Sequence, residues 1–339
     1  MIRCKSKFYR ANLKSAEDKA VYDCILAALE SQKNEVIISS SLMNGISCTL
    51  VDLVLYVRMD NPGLFYVDFQ KYSFLNQWPD RKIVFSYLYP ITQIDDIEAR
   101  IVRKIDSIIR EGNVSQLTFY EKELALHDYL VENVTYESAD KSYHKAHSAV
   151  GALLHGRAVC EGYAMAFKLL CDAVGLSCIV RHGTATNSDG KGNHAWNIVK
   201  LDGKCYHIDV TWDGCSKTDS QTSRNCFNLT DDDMSQDHTW DRVLLPPCIS
   251  QDENYFVHSG NYFTSSDELR NFLVKGLKNG QRNFAVRINH KFQDESKLKG
   301  IIQDSIKSLF MTNFLGYTYQ FQYDNKRNVI SIAVKIPCM

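Results

Sequence analysis

The sequence has no long apolar run and almost no excess charge. None of its apolar stretches reaches the ~20 residues that cross a membrane. Its 39 basic and 40 acidic side chains give a net charge of −1. Such a balance gives no electrostatic reason to bind nucleic acid or an anionic membrane, and we expect neither as a partner. The start of the chain shows no apolar leader segment, which favours a cytoplasmic location if Met1 is the true start and an extracellular or cell-surface one if the chain was trimmed.

The cysteines also lack the short, regular spacing of a disulfide scaffold or a zinc ribbon. There are eleven, an odd number, and no Cys-x-x-Cys pair occurs among them. This scatter is typical of free thiols in a reducing compartment. His144, His147 and His155 come close together in sequence, but no acidic partners at ligand spacing accompany them. We therefore expect no metal and no cofactor.

One cysteine stands where a helix is predicted to begin. Apolar residues recur at helical spacing up to Val174, and Gly175 follows as a helix-ending glycine. Cys160 would then lie in or just before the first turn, where unpaired N–H groups and the positive dipole end stabilise an anion. That position suits a nucleophilic thiolate, and Gly156 and Gly162 leave room for a substrate beside it. Taken alone, Cys160 is equally well explained as a small core residue.

A predicted β-hairpin brings a histidine and a carboxylate together. Asp202-Gly203 separates two strand-like runs, residues 194–201 and 204–212, and favours a two-residue type I′ turn. In that register His194 and Asp209 are diagonal neighbours on one face, about 7–8 Å apart at the backbone. A one-residue bulge would place them on opposite faces.

The order of these three residues indicates a chemistry. A carboxylate such as Asp209 can hold one N–H of the His194 ring and stabilise its imidazolium form. Each residue alone has a structural alternative. Together Cys160, His194 and Asp209 supply the nucleophile, the base and the orienting group of thiol acyl transfer.

The motifs around these residues resemble the transglutaminase-like superfamily, papain-like in its catalytic arrangement, and most of all its bacterial members of the kyphoscoliosis-peptidase type. None of the motifs is decisive singly. The matching segments cover roughly the middle third of the chain and are residues 127–136, 155–164 (His-Gly-Arg-Ala-Val-Cys-Glu-Gly-Tyr-Ala), 194–197 (His-Ala-Trp-Asn), 206–213 (Tyr-His-Ile-Asp-Val-Thr-Trp-Asp) and 227–230.

The resemblance implies an enzyme that acts on amide bonds of a protein or peptide. Cys160 would be the nucleophile, His194 the general base and acid, and Asp209 the orienting group, with a thioester intermediate. We slightly favour hydrolysis over amine transfer, because no calcium-loop signature of regulated cross-linking is present. The alternative is a non-catalytic protein- or glycan-binding module that keeps the fold.

We predict an α+β chain in three parts: an N-terminal α/β domain at residues 1–115, a papain-like or transglutaminase-like catalytic core at 116–258, and a small C-terminal α+β domain at 259–339. In the core, the catalytic helix should pack on an antiparallel sheet. Strands are expected at residues 35–38, 64–67 and 82–87, and capped helices at Thr92 and Thr118. His127 is expected to be structural, and Tyr143 or His147 to line the cleft. The C-terminal part shows no chemistry, and the oligomeric state is not predicted.

Overall fold

The computed structural model describes residues 6–137, 144–188, 190–217, 222–289, 294–310 and 317–335. The fold is α+β, as predicted. Tyr143 lies outside the described residues. Within them, no helix combines the length and the apolar character that crossing a membrane requires.

The N-terminal part packs helices against a small antiparallel sheet in which the third strand is central. Its elements are α1 (Phe8–Asn12), α2 (Ala16–Glu30), β1 (Glu35–Ile38), α3 (Ser40–Met43), α4 (Leu50–Asp60), β2 (Val67–Gln77), β3 (Asp80–Tyr87) and α5 (Ile91–Glu111).

Two predictions in this part were wrong. The second strand begins at Val67, and residues 64–66 form a turn instead of the predicted strand. Helix α5 begins at Ile91 after Pro90, whose fixed φ and missing N–H suit a helix start, so Thr92 does not cap it. Helix α4 was not predicted at all. A capping box between Thr49 and Asp52 starts it.

The middle part follows the predicted order: a helix, then the helix that begins at Cys160, then a sheet. Its elements are α6 (Phe119–Asn133), β4 (Thr135–Tyr136), α7 (Ala149–His155), β5 (Arg157–Ala158), α8 (Cys160–Val174), β6 (Ser177–Asn187), β7 (Gly190–Leu201), β8 (Lys204–Ile208), α9 (Val210–Ser216), α10 (Asp231–Met234), β9 (His238–Thr239) and α11 (Tyr255–His258). The predicted capping box of Thr118 and Glu121 starts α6. Helix α8 packs on the antiparallel sheet, whose strand order is β8-β7-β6-β9.

The predicted hairpin is confirmed in its turn but wrong at its far end. Leu201 pairs with Lys204, and Asp202 and Gly203 both have positive φ, 46° and 83°, as a type I′ turn requires. Strand β8, however, stops at Ile208. Asp209 is the N-cap of α9, so the predicted strand over residues 209–212 is instead a helix start.

The C-terminal unit, residues 262–335, is a four-stranded sheet with two helices on one face. Its elements are β10 (Tyr262–Phe263), α12 (Ser266–Lys278), β11 (Asn283–Ile288), α13 (Glu295–Phe310), β12 (Thr318–Asp324) and β13 (Val329–Lys335). Its buried side chains form a cluster separate from the large one between Tyr9 and Cys248. That large cluster spans the predicted boundary at residue 115, so the three-part division stays a prediction.

Candidate active site

Cys160 is the first residue of α8, where the helix leaves its N-terminal N–H groups unpaired. Its side chain is partly exposed and is close enough to His194 to raise the pKa of that ring. The backbone just before it is fixed, because the N–H of Val159 donates to the carbonyl of Ala146 at 3.1 Å. Gly162 has a different role from the predicted one. A Cβ there would lie 2.2 Å from the Ala146 oxygen, so this glycine serves backbone packing, not substrate access.

His194 and Asp209 are in direct contact. Nε2 of His194 lies 2.7 Å from Oδ2 of Asp209, which leaves Nδ1 as the ring nitrogen for the Cys160 sulfur. Oδ1 of Asp209 accepts the N–H groups of Thr211 and Trp212 at 3.0 and 3.1 Å. The N-cap geometry therefore fixes one carboxylate oxygen and aims the other at the imidazole.

Charges in this contact are arranged for an imidazolium. Burial opposes a proton on His194, whose side chain is only 8% exposed, but Asp209 and Cys160 outweigh burial and raise the pKa of His194 to about 10. Burial likewise opposes the charge of Asp209, yet His194 and His238 hold the pKa of that carboxyl well below its usual range. The pair thus favours a charged ring beside a charged carboxylate.

A second histidine, which the sequence did not reveal, completes the contacts of Asp209. Nε2 of His238 lies 3.2 Å from Oδ2 of Asp209, and its Nδ1 lies 2.5 Å from Oδ1 of Asp237. Strand β9 brings it there, because His238 pairs with Ala185 and Thr239 with Thr184 of β6. A carboxylate only accepts hydrogen bonds, so the His238 ring satisfies both contacts when both nitrogens carry a proton.

Two tryptophan rings, Trp196 and Trp212, pack against both histidines. The ring of His238 lies 4.5 Å from that of Trp212 and 5.1 Å from that of Trp196. The Trp196 ring also meets Trp240 edge to face at 5.8 Å. These apolar walls keep water from the carboxylate, which strengthens every electrostatic interaction inside them.

Glu161, next to Cys160, is the centre of a second charged group. It binds Arg58 at 2.5 Å and lies 3.3 Å from His147 and 3.4 Å from His182. Burial would raise the pKa of Glu161, but Arg58, His147 and His182 together outweigh burial and the pKa is lowered. Burial, with Arg58 and Arg181 nearby, lowers the pKa of His182 to about 4, so this ring is neutral beside the charged His194.

A pocket of about 430 Å³ opens beside this second group. Arg58, His144, His147 and Met165 are among its lining residues. His147 lines this pocket, but Cys160 is not among the residues that line it, so a place for His147 in a cleft near the thiol stays a prediction. Tyr143, the other residue named in that prediction, lies outside the described residues.

This geometry coincides with a family match. Residues 106–210 match the family model described as the transglutaminase-like superfamily. Over this segment, which is less than half of its length, the chain is similar to that superfamily. Proteins of this superfamily are generally cysteine-dependent enzymes.

The chain is also similar to two curated relatives. It is 24% identical to the kyphoscoliosis peptidase of Mus musculus over 165 residues, covering 42% of this chain and 25% of that protein. It is 22% identical to the Homo sapiens protein of the same name over 200 residues, covering 52% and 30%. The chain thus spans less than a third of the length of these relatives. A solved structure described as a TGase shares 16% identity, covers 47% of this chain and 48% of its own, and has a TM-score of 0.31, which carries no argument.

Among the described residues, two groups bring metal-ligating atoms together: His194, Asp209 and His238, and separately His207, Asp231 and Cys248. In both groups, the histidine nitrogens and carboxylate oxygens already take part in hydrogen bonds with one another. In the second group, the indole N–H of Trp196 donates to Nδ1 of His207 at 3.0 Å, so the proton of that ring is on Nε2 and is donated to Asp231 at 2.8 Å. A metal at Nε2 would have to displace that proton.

His127 has the structural role that the sequence predicted. Its buried ring lies between two carboxylates, with Nδ1 2.9 Å from Asp128 and Nε2 3.0 Å from Asp213. Burial opposes its charge, but Asp128 and Asp213 outweigh burial and raise the pKa of His127 to about 9. The resulting ion pairs tie α6 to α9, the helix that Asp209 caps.

Proposed function

We propose that this chain is a cysteine enzyme that acts on amide bonds of a protein or peptide. Cys160 is the nucleophile, His194 the general base and acid, and Asp209 the orienting group. One observation carries the proposal: the His194 ring lies 2.7 Å from Oδ2 of Asp209 and close enough to Cys160 for that thiol to help raise the pKa of the ring. A nucleophile, a base and an orienting carboxylate in hydrogen-bonding sequence define acyl-transfer sites on unrelated folds.

The reaction follows from the positions of the three side chains. The Cys160 thiolate attacks the amide carbonyl carbon, and the backbone N–H groups at the start of α8 stabilise the developing oxyanion. His194 then donates its Nδ1 proton to the leaving nitrogen, and the C–N bond breaks to leave a thioester and a free amine. Next His194 takes a proton from the incoming water or amine as that group attacks the thioester. Collapse of this intermediate breaks the C–S bond, releases the acid or the new amide, and restores the thiolate.

Asp209 serves both halves of this cycle. It holds Nε2–H of His194, so that Nδ1 is the nitrogen that exchanges protons with the reacting groups. Because Oδ1 is fixed by the α9 backbone, the carboxylate cannot follow the ring if the ring turns. We favour water over an amine as the acceptor, because the sequence carries no calcium loop of the regulated cross-linking type.

Alkylation by iodoacetamide tests the catalytic role directly. We expect Cys160 to react selectively at pH 6, where an ordinary thiol with a pKa of about 8.5 is mostly protonated. His194→Ala should remove that selectivity, and Cys160→Ala should remove the labelled peptide. Cys205, also partly exposed, is the internal control. Labelling of Cys160 no faster than of Cys205 would mean that the chain is a binding module that keeps the fold.

The reaction type needs a separate experiment. A peptide library incubated with the wild type and with Cys160→Ala shows whether amide bonds are cleaved, and a labelled primary amine added to the same mixture shows whether acyl groups are transferred. We expect Cys160-dependent cleavage products. Incorporation of the amine without cleavage would overturn the preference for hydrolysis while leaving the role of Cys160 intact.

A further inference from the structure

We propose that Arg327 of the C-terminal unit is a positioning residue of the active site. It acts through Asp237 and His238, which together hold Asp209. The inference rests on the function proposed above, and it assigns a part in that function to a unit whose sequence shows no chemistry.

The contacts form an unbroken sequence of hydrogen bonds from Arg327 to the site. Nη2 of Arg327 lies 2.6 Å from Oδ1 of Asp237. The same oxygen lies 2.5 Å from Nδ1 of His238, and Nε2 of His238 lies 3.2 Å from Oδ2 of Asp209. That Asp209 oxygen is the one that also holds His194 at 2.7 Å.

Every group in this sequence of contacts is withdrawn from water. The side chains of Arg327, Asp237 and His238 are 2%, 1% and 0% exposed, and that of Asp209 is 0% exposed. Arg327 also lies over Trp212, with Cζ 6.0 Å from the ring centroid. A buried arginine is costly unless its partners are fixed, so this one cannot be exchanged for a solvated side chain without consequence.

Contacts within the C-terminal unit itself help to fix the position of Arg327. The β12–β13 turn carries it, and Oδ1 of Asp324 accepts the N–H groups of Lys326 and Arg327 at 3.1 and 3.0 Å. The second nitrogen of Arg327, Nη1, donates to the carbonyl of Asp233 at 2.9 Å. Hydrogen bonds therefore hold the turn in place. The two terminal nitrogens of the Arg327 guanidinium both face acceptors in the middle part of the chain, Asp233 and Asp237.

Charge explains why a cation is needed there. Asp237 and Asp209 are two buried carboxylates on either side of one imidazole, that of His238. Arg327, with Lys326 3.7 Å from the other Asp237 oxygen, balances Asp237. Without Arg327, the excess negative charge on Asp237 would compete with Asp209 for His238. Oδ2 of Asp209 would then lose one of its two ring donors, and His194 would lose a fixed partner.

A comparison of Arg327 with Arg287 shows whether Arg327 positions the active site or only attaches the C-terminal unit to the rest of the chain. Arg287 also comes from the C-terminal unit, is 5% exposed and binds the carboxylate of Asp233 on α10, whose carbonyl accepts from Arg327; no described contact joins Arg287 directly to Asp237 or His238. The Arg287→Met variant thus removes a comparable buried ion pair from the same interface. The Arg327→Lys variant retains a single charge near Asp237.

The experiment is alkylation of Cys160 by iodoacetamide in the full chain, at pH 6 and at pH 9. At pH 9 thiolates form without an imidazolium, so only the rate at pH 6 reports on the held His194. We expect Arg327→Met to lower the pH 6 rate about tenfold, the size typical of lost supporting contacts, with little change at pH 9. Arg327→Lys should recover most of the rate, and Arg287→Met should match the wild type.

Two results would overturn the proposal: a wild-type rate at pH 6 in Arg327→Met, or an equal loss in Arg287→Met. The function proposed above fails separately, if wild-type Cys160 shows no selectivity at pH 6. In that case the ring signals of ¹⁵N-labelled histidines decide the positioning role. The titration of His194 should shift in Arg327→Met and stay unchanged in Arg287→Met. If the titration of His194 does not shift in Arg327→Met, the proposal is wrong, whatever the activity of the protein.

Discussion

Asp209 begins helix α9 and orients His194 with the same carboxylate. Its Oδ1 accepts two backbone N–H groups of α9, and its Oδ2 lies 2.7 Å from Nε2 of His194. The start of α9 and the orientation of the His194 ring are therefore coupled, because a movement of either Asp209 oxygen disturbs both contacts.

The Asp209→Asn variant should separate these two tasks. An amide has one acceptor atom, so it can cap α9 or hold Nε2–H of His194, but not both. We expect the fold to be retained and kcat/KM, or the alkylation rate of Cys160 at neutral pH, to fall about 10²–10⁴-fold, as for an orienting carboxylate in a related arrangement. Circular dichroism confirms folding, and the rate is measured in parallel. A folded variant with a wild-type rate would contradict the orienting role.

The protonation of His194 gives a second prediction. Because Asp209 and Cys160 outweigh burial, the ring should keep its second proton up to about pH 10, and the pKa should move down toward the ordinary 6.5 when Asp209 becomes asparagine. The contribution of this charge to stability is complete below pH 6.5 and is lost as the pH rises through 10. NMR titration of the His194 ring in Cys160→Ala, and in the double variant that also carries Asp209→Asn, measures the raised pKa and its fall. A ring that titrates near 6.5 in both proteins would contradict the pairing with Asp209.

His127 should stabilise the fold without direct contact to the reacting groups. Its removal leaves the buried carboxylate of Asp213 without this partner, so His127→Gln should lower the free energy of unfolding by about 3–5 kcal/mol at pH 6. Since the pKa of His127 is raised to about 9, the ion-pair contribution is complete below pH 6.5 and disappears as the pH rises through 9. Denaturant unfolding at pH 6 and pH 9.5 measures the change.

His258 provides the control for that measurement. It lies 2.9 Å from Glu253 but is 44% exposed, so His258→Gln should cost at most about 1 kcal/mol. Equal losses in the two variants, or a loss in His127→Gln that does not depend on pH, would argue against the buried ion pairs.

Local chemistry in the sequence was enough to predict the elements around the site. Asp-Gly at residues 202–203 predicted the turn because few residues accept two positive φ values in succession. The helix that Cys160 begins was predicted from apolar spacing and from Gly175, which takes φ 82° at its end. These features depend on neighbours within a few residues, which is why the printed sequence carries them.

The errors have a different physical origin. The run Val210-Thr211-Trp212 has the β-branched and aromatic composition of a strand, but the Asp209 side chain captures the backbone N–H groups and starts a helix. His238 and Arg327 had no signal at all, because the contact of His238 with Asp209 depends on β9 pairing with β6, and that of Arg327 with Asp237 depends on the C-terminal unit packing against α10. Contacts across ~90 residues of sequence leave no local pattern.

Gly162 offers the sharpest test of how the Cys160 thiol is placed. A Cβ at this position would lie 2.2 Å from the backbone oxygen of Ala146, which cannot yield as a flexible side chain would. We expect Gly162→Ala to push the first turn of α8 away, to lower the free energy of unfolding by about 1–3 kcal/mol, and to slow alkylation of Cys160 at pH 6. The matched control is Gly192→Ala, where an added Cβ meets nothing within 4 Å. Because α8 carries Cys160 while β7 carries His194, a shift of the turn alone lengthens the distance between sulfur and ring. Wild-type alkylation in Gly162→Ala would mean that this close backbone contact does not place the thiol.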